Sequence, residues 1–326
     1  MSHHVGMNGS EVLRVPAARS RRRRAFTLIE LLVVLAVVGI LSCLVLAGVQ
    51  ASRTASYRAS CTNKMRQLGL GFQSHHSTHG IFPPQSPALS NSPGSPFTYE
   101  GIGWQIYILP FTDQTPLWEQ VVQAYQKDNR PWTDPHAALR EIVVPGYVCP
   151  SDTRLNSPLT DRDGNRGGFL SYVGMTGYSD QTKSGIFGRR QGVRAAEITD
   201  GLSNTIMIGE RPPPGSLSMG WWYTTHNYKN LMTATDFEVP ADTGLSPGAP
   251  DCAGVVTDWP PGGVRPEFAF MNGSLSNDCD KFHYWSLHPG GANFLFADGS
   301  VRFLTYAAKF QLRQFATIAG GELAVQ

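Results

Sequence analysis

A single carboxylate, Glu30, stands at the mouth of an almost unbroken apolar run from Leu31 to Val49. An ionisable group there is costly in a bilayer, so its placement needs a reason. Farther on, His75, His76 and His79 form H-H-x-x-H. On a helix His75 and His79 share a face and have the spacing of two metal ligands. Polar residues closing a helix C-terminus would look the same. No Glu follows the first His, so the hydrolytic H-E-x-x-H pattern is absent. His288 and the pair Asp298-Gly299 are the next candidates. They stand at opposite ends of a strand-like run, and at about 3.3 Å per residue they would be too far apart for a catalytic dyad. His288 then reads as a structural hydrogen-bond partner and Asp298 as the first central residue of a tight turn.

Two further groups could hold a ligand. Asp161, Asp163 and Asn165 have the spacing of the first ligands of a calcium loop. However, Arg166 stands where such a loop needs Gly, and Tyr172 where it needs Glu. A solvated turn is the simpler reading, and no cofactor is expected beyond this weak calcium signal. Trp221, Trp222, Tyr223, Trp259 and Trp285 could line a carbohydrate or peptide groove, or serve as core packing. No G-x-S-x-G, phosphate-cradling or dinucleotide pattern occurs, so no catalytic residue is assigned and an enzyme is not expected.

These groups must be positioned by very different elements. Residues 31–49 have the length of one membrane-spanning helix. Tyr57, Cys61, Met65, Leu68 and Phe72 continue with helical spacing and form one stripe. The helix is expected from Phe26 to about His76, on the order of 75 Å long, and to stop before Gly80 and Pro83-Pro84. Beyond it, strands and loops dominate. Gly103–Phe111 reads as a strand or short helix. Tyr147–Asp152 reads as a strand end entering a turn, and Phe169–Gly177 as a strand. Glu197–Glu210 holds a turn at Asp200-Gly201 and then an apolar run. Residues 240–267 read as a long loop. Ala292–Leu304 is a hairpin about a two-residue Asp298-Gly299 turn, with Phe296 opposite Val301 and Phe294 opposite Phe303. A helical tail follows over Ala307–Ile318.

Charge is unevenly placed. Six of the 27 basic residues but one of the 25 acidic ones lie before position 26, leaving 21 against 24 in the remainder. This argues against a nucleic-acid surface. Arg14, Arg19 and Arg21, Arg22, Arg23 and Arg24 precede the apolar run and place the N-terminus in the cytoplasm and the rest outside. With 34 Gly and 23 Pro, the chain is turn-rich without the composition of a disordered one. Cys43 lies in the apolar run. Cys61, Cys149, Cys252 and Cys279 lie outside it, where disulfides persist. They allow three connectivities. Cys252–Cys279 with Cys61–Cys149 is favoured, the second tying the helix to the head; the alternative is reduced, buried thiols.

The junction RRRRAFTLIELLVVL resembles the leader of a type IV prepilin or pseudopilin. An ordinary secretory signal would have a shorter apolar core and a small-residue exit. A plain anchor would explain all but the placement of Glu30. The resemblance implies cleavage by a prepilin peptidase between Ala25 and Phe26 and methylation of the new N-terminus. Ala25 stands where the family usually has Gly. The resemblance also implies that Glu30 neutralises the N-terminal amine of Phe26 on a neighbouring subunit.

A second resemblance is carried by YRASCTNKMRQLGLGFQSHHSTHGIFPP, VCPSD, EITDGLSNTIMIGE and HPGGANFLFADGSVRFL, in that order. They are similar to the DUF1559 family of planctomycete-type bacteria, which also carries a solute-binding-protein label. Its signature of His, nine residues, then Asp-Gly fits His288, Asp298 and Gly299. Together the readings imply an α+β chain: a basic leader over 1–25, a pilin-like helix over 26–76, and a loop-rich, mainly antiparallel β head over 77–326. The expected role is structural, a single-pass inner-membrane protein with an extracytoplasmic head. Its partners would be the peptidase and pilin-like subunits or copies of itself, in a filament or secretion-related assembly. The alternative is a membrane-tethered head that binds a solute or carbohydrate.

Overall fold

The computed structural model describes residues 27–84, 102–179, 184–188, 192–224, 231–236 and 270–321. Arg21 to Arg24, Ala25, Phe26, Cys252, Trp259 and the loop expected over 240–267 lie outside the described residues. The chain divides into two units, 1–52 and 53–326.

In the first unit, the described residues open helix α1, Leu28–His79. The run is rich in Leu, Ala and Val and contains no Pro, so nothing interrupts the helical ladder. Its start is closed by a reciprocal cap. The Thr27 N–H donates to Glu30 Oε2 at 2.8 Å, and the Glu30 N–H donates to Thr27 Oγ1 at 3.3 Å. This T-x-x-E capping box satisfies two otherwise unpaired donors. Every described residue up to Ser52 is exposed. The helix is long and apolar enough to cross a membrane, with a mean hydropathy of 3.0 over an 18-residue window.

The second unit begins within α1. Cys61, Met65, Leu68 and Phe72 are buried, and each such apolar side chain contributes about 1.5–3 kcal/mol by leaving water. Tyr57 departs from the expected stripe: it is 43 % exposed, one turn short of the packed surface. The helix ends three residues beyond the expected end. Gly80 adopts φ +76°, and its N–H donates to the His76 carbonyl at 2.8 Å. This left-handed cap suits Gly because it lacks Cβ.

Gly103–Phe111 is helical: α2, Trp104–Tyr107, and a 3₁₀ turn, Leu109–Phe111. Two further helices are α3, Thr115–Lys127, and α4, Ala137–Arg140. Tyr147–Asp152 is not a strand. A 3₁₀ turn, Pro145–Tyr147, precedes a backbone turn closed by Asp152 N–H on the Cys149 carbonyl. Pro150, inside the run, has no N–H to give a strand ladder. A small hairpin follows, β1 (Leu159–Thr160) with β2 (Arg166–Gly167).

The main sheet contains β3 (Tyr172–Ser179), β4 (Ile206–Glu210), β5 (Leu231–Asp236), β6 (Gly291–Phe296) and β7 (Val301–Thr305), in the order β5-β3-β4-β6-β7. All its pairings are antiparallel except β3 with β5. The expected α+β class with a mainly antiparallel head is therefore observed. Helix α5, Lys309–Gln314, occupies part of the helical tail. Both faces of β6 are covered. Leu295 packs towards α1, where a Cβ on Gly69 would come within 2.8 Å of Leu295 Cδ1. Phe294 meets Phe270 and Tyr284, each at 5.4 Å between ring centres. That double coverage is why β6 reads as a continuous apolar run rather than an alternation.

The hairpin register differs from expectation by one residue. Leu295 pairs with Val301, Phe294 with Arg302 and Asn293 with Phe303. Phe296 N–H donates to the Ser300 carbonyl, and Gly299 N–H donates to the Phe296 carbonyl, both at 2.9 Å. The connection is thus the three-residue loop 297–299, with Gly299 alone at positive φ, +85°. A three-residue loop ending in a left-handed Gly is the next favoured hairpin after the two-residue turn. Asp298 instead accepts the Ser300 N–H at 2.8 Å on its side chain. A Cβ on Gly299 would meet nothing nearer than Gln73 Cγ at 3.9 Å. Gly299→Ala should therefore cost only the left-handed strain, about 1–2 kcal/mol, read as a fall in the denaturant midpoint at unchanged slope. An unchanged midpoint would show that the loop relaxes to a conformation any residue accepts.

Candidate functional site

Six residues close a ring between α1 and the sheet. Cys61 and Thr62 lie side by side on α1, and Cys61 is disulfide-bonded to Cys149, 88 residues away. Cys149 Sγ lies 3.6 Å from His288 Nε2. The same Nε2 lies 3.3 Å from Glu210 Oε1. Glu210 accepts the Asn293 backbone N–H at 2.7 Å and its Nδ2 at 3.1 Å. Asn293 Oδ1 accepts from Thr62 Oγ1 at 3.2 Å, returning the ring to α1. Cys61, Cys149, Glu210, His288 and Asn293 are all buried.

Local structure fixes each member. Glu210 is the last residue of β4, beside Gly209, which pairs with Phe294 of β6. That register sets its carboxylate against Asn293. His288 sits in the loop before β6. Its N–H donates to Ser286 Oγ at 2.9 Å, and the Ser286 hydroxyl donates to the Gly291 carbonyl at 2.6 Å. The Cys149 N–H donates to Ser171 Oγ at 3.0 Å, just before β3. Across the strand pair, burial pushes the Tyr172 hydroxyl well above the ordinary tyrosine range, and the nearby Glu210 charge pushes it the same way. Beside the ring is a void of about 10 Å³ lined by Cys149, Asp152, Ser171, Glu210, Pro212, Ser286 and Leu287. It is no larger than a water molecule needs and is not a substrate cleft.

The geometry does not make a nucleophilic triad. In a triad the base touches the nucleophile with one ring nitrogen and its orienting carboxylate with the other. Here Cys149 and Glu210 both approach Nε2. The nucleophile would also be in a disulfide.

Other expected site residues lie elsewhere. His75 is buried, with Nδ1 3.0 Å from the Ile81 carbonyl, and His76 Nε2 accepts the Ala195 N–H at 3.2 Å. These contacts close the helix end. Asp161 turns its carboxylate inward to the Asp163 and Asn165 N–H groups at 2.9 and 2.8 Å. It closes the β1–β2 hairpin. Trp221, Trp222, Tyr223 and Trp285 are buried at 0–1 % exposure, so they pack the interior and line no open groove. Asp298 is exposed at the hairpin, away from the His288 loop at the far end of β6. Cys43 is a free, exposed thiol on α1. Cys279 is disulfide-bonded; Cys252, its expected partner, lies outside the described residues.

The family described as a protein of unknown function (DUF1559) matches residues 50–311, most of the chain. This chain belongs to the DUF1559 family. The prokaryotic N-terminal methylation motif matches residues 20–46. No curated protein and no solved structure matches the chain. The DUF1559 match covers the whole ring from Cys61 to Asn293, while the methylation motif covers the leader junction and Glu30. The ring members that sequence reading did not single out are Thr62, Glu210 and Asn293. Glu210 carried the one usable signal, an acid closing the otherwise apolar strand IMIGE.

Proposed function

We propose that this DUF1559 protein is a non-enzymatic, pseudopilin-like structural subunit. In this reading a prepilin peptidase cuts before Phe26, the new N-terminus is methylated, and the head stands outside the inner membrane. The N-terminal part of α1 then enters a filament or secretion-related assembly with like subunits or copies of itself. One observation carries the reading: a methylation motif over 20–46 opens a helix whose apolar side chains are exposed throughout 28–49. An apolar surface of that length needs lipid or other helices around it. The arginine run before it supports the orientation. The tethered solute-binding alternative loses support, because Trp221, Trp222, Tyr223 and Trp285, four of the aromatic side chains that would line its groove, are buried.

Intact-mass and N-terminal peptide mass spectrometry on protein from native membranes tests this. A chain beginning at N-methylated Phe26 is the expected result. A chain that retains Arg21 to Arg24 would make this a plain anchored protein and remove the basis for assembly.

A further inference from the structure

The four chemically active atoms of the ring converge on one point. Among the described residues, the Sγ atoms of Cys61 and Cys149, a carboxylate oxygen of Glu210 and a ring nitrogen of His288 all lie within 4.8 Å of one another. One imidazole N–H cannot point at both Sγ and Oε1, but a cation between them would satisfy every donor at once. The distances fit. With Zn–S of about 2.3 Å, Zn–N of about 2.05 Å and Zn–O of about 2.1 Å, tetrahedral edges are roughly 3.6 Å for S···N and 3.4 Å for N···O. The observed separations are 3.6 Å for Cys149 Sγ to His288 Nε2 and 3.3 Å for Nε2 to Glu210 Oε1. The sulfur pair is covalently joined and must open for a cation to enter. The void beside Cys149 and Glu210 gives those side chains room to adjust.

We propose that the dithiol form of this protein holds a zinc-class divalent cation on Cys61, Cys149, His288 and Glu210, so that a metal replaces the disulfide as the tie between α1 and the head. The dithiol form exists in every newly made chain before oxidation. It also arises when a dithiol reductant gives two electrons and two protons to the disulfide and itself becomes a disulfide. The cation then displaces one proton from each thiol to solvent, leaving two thiolates, one neutral imidazole and one carboxylate around it. The second layer is already built: Asn293 orients Glu210, and Ser286 fixes the His288 loop. Such outer partners hold metal ligands in place. The donor set of two sulfurs, one nitrogen and one oxygen selects zinc-class ions over calcium or magnesium.

The test uses the full-length protein in detergent, oxidised or reduced with a phosphine, and titrated with Co²⁺ and then Zn²⁺. The reduced protein should take up one Co²⁺ per chain with thiolate charge-transfer absorption and tetrahedral visible bands. Zn²⁺ should displace it, and the oxidised protein should show neither signal. His288→Asn should weaken binding by more than the roughly 10–100-fold that loss of an outer partner costs. Cys61→Ser/Cys149→Ser should abolish the signal although Cys43, Cys252 and Cys279 remain. Three outcomes overturn the proposal: no uptake by reduced wild type, unchanged uptake in the double serine variant, or a reduced protein that zinc fails to keep folded. The comparison of oxidised with reduced wild type needs no variant to fold.

Discussion

Cys61→Ser/Cys149→Ser is expected to destabilise the head by about 4–5 kcal/mol, the chain-entropy value for a loop of this length. The bond joins residues 88 apart in sequence, from α1 to the turn after Pro145–Tyr147. Without it the unfolded chain regains the freedom that loop closure had removed. The native state changes less, because Met65, Leu68 and Phe72 still bury α1 against the head. For a unit of this size the loss corresponds to a Tm lower by roughly 7–9 °C. The measurement is thermal or denaturant unfolding of the variant beside oxidised wild type, with metal chelated in both. Reduced, metal-free wild type should fall by at least as much, because reduction also opens the disulfide at Cys279. A variant within about 1 kcal/mol of wild type would mean that helix packing alone holds α1, and that the ring's covalent side is dispensable.

Much of this architecture was legible because it is written in local periodicity. The apolar run over 31–49 and the stripe Cys61, Met65, Leu68 and Phe72 need no knowledge of the rest of the chain. The hairpin was located by Asp298-Gly299, but its register slipped by one residue. The dipeptide permits either a two-residue turn or a three-residue loop, and contacts from 202–205 decide between them: Asp298 N–H donates to the Leu202 carbonyl and Ala297 N–H to the Thr205 carbonyl. The aromatic residues were ambiguous for a similar reason. A Trp-Trp-Tyr run serves a groove or a core equally well, and only the fold reveals that Trp221 lies against Phe169 and Trp132. The ring was the least legible feature. Its members come from positions 61, 62, 149, 210, 288 and 293, and sheet order alone brings Glu210 beside Asn293. Taken singly His288 reads as a structural partner, and only the fold sets it beside both Cys149 and Glu210.

Glu30→Gln should leave helix formation, membrane insertion and cleavage before Phe26 unchanged, yet reduce incorporation into assemblies by about tenfold or more, as loss of one side of a desolvated charge pair does. Two explanations compete for this carboxylate. The local one is now specific: Glu30 Oε2 accepts the Thr27 N–H at 2.8 Å and its hydroxyl at 2.9 Å, so a carboxylate here closes the helix start without any second subunit. The intermolecular one has Glu30 pair with the amine of Phe26 on a neighbour, where low dielectric strengthens the attraction. Glu30→Ala removes both functions and cannot separate them. Glutamine can, because a side-chain amide oxygen still accepts at the third helical position while carrying no charge to offer an amine. The readout is the fraction of the protein recovered in sheared or crosslinked assemblies, with total membrane protein and N-terminal mass as controls. If Glu30→Gln assembles like wild type while Glu30→Ala does not, the carboxylate serves its own helix and the charge-pairing mechanism is wrong. If both fail while insertion and cleavage persist, the charge itself is required, and the cap only holds it in place until a neighbouring subunit arrives.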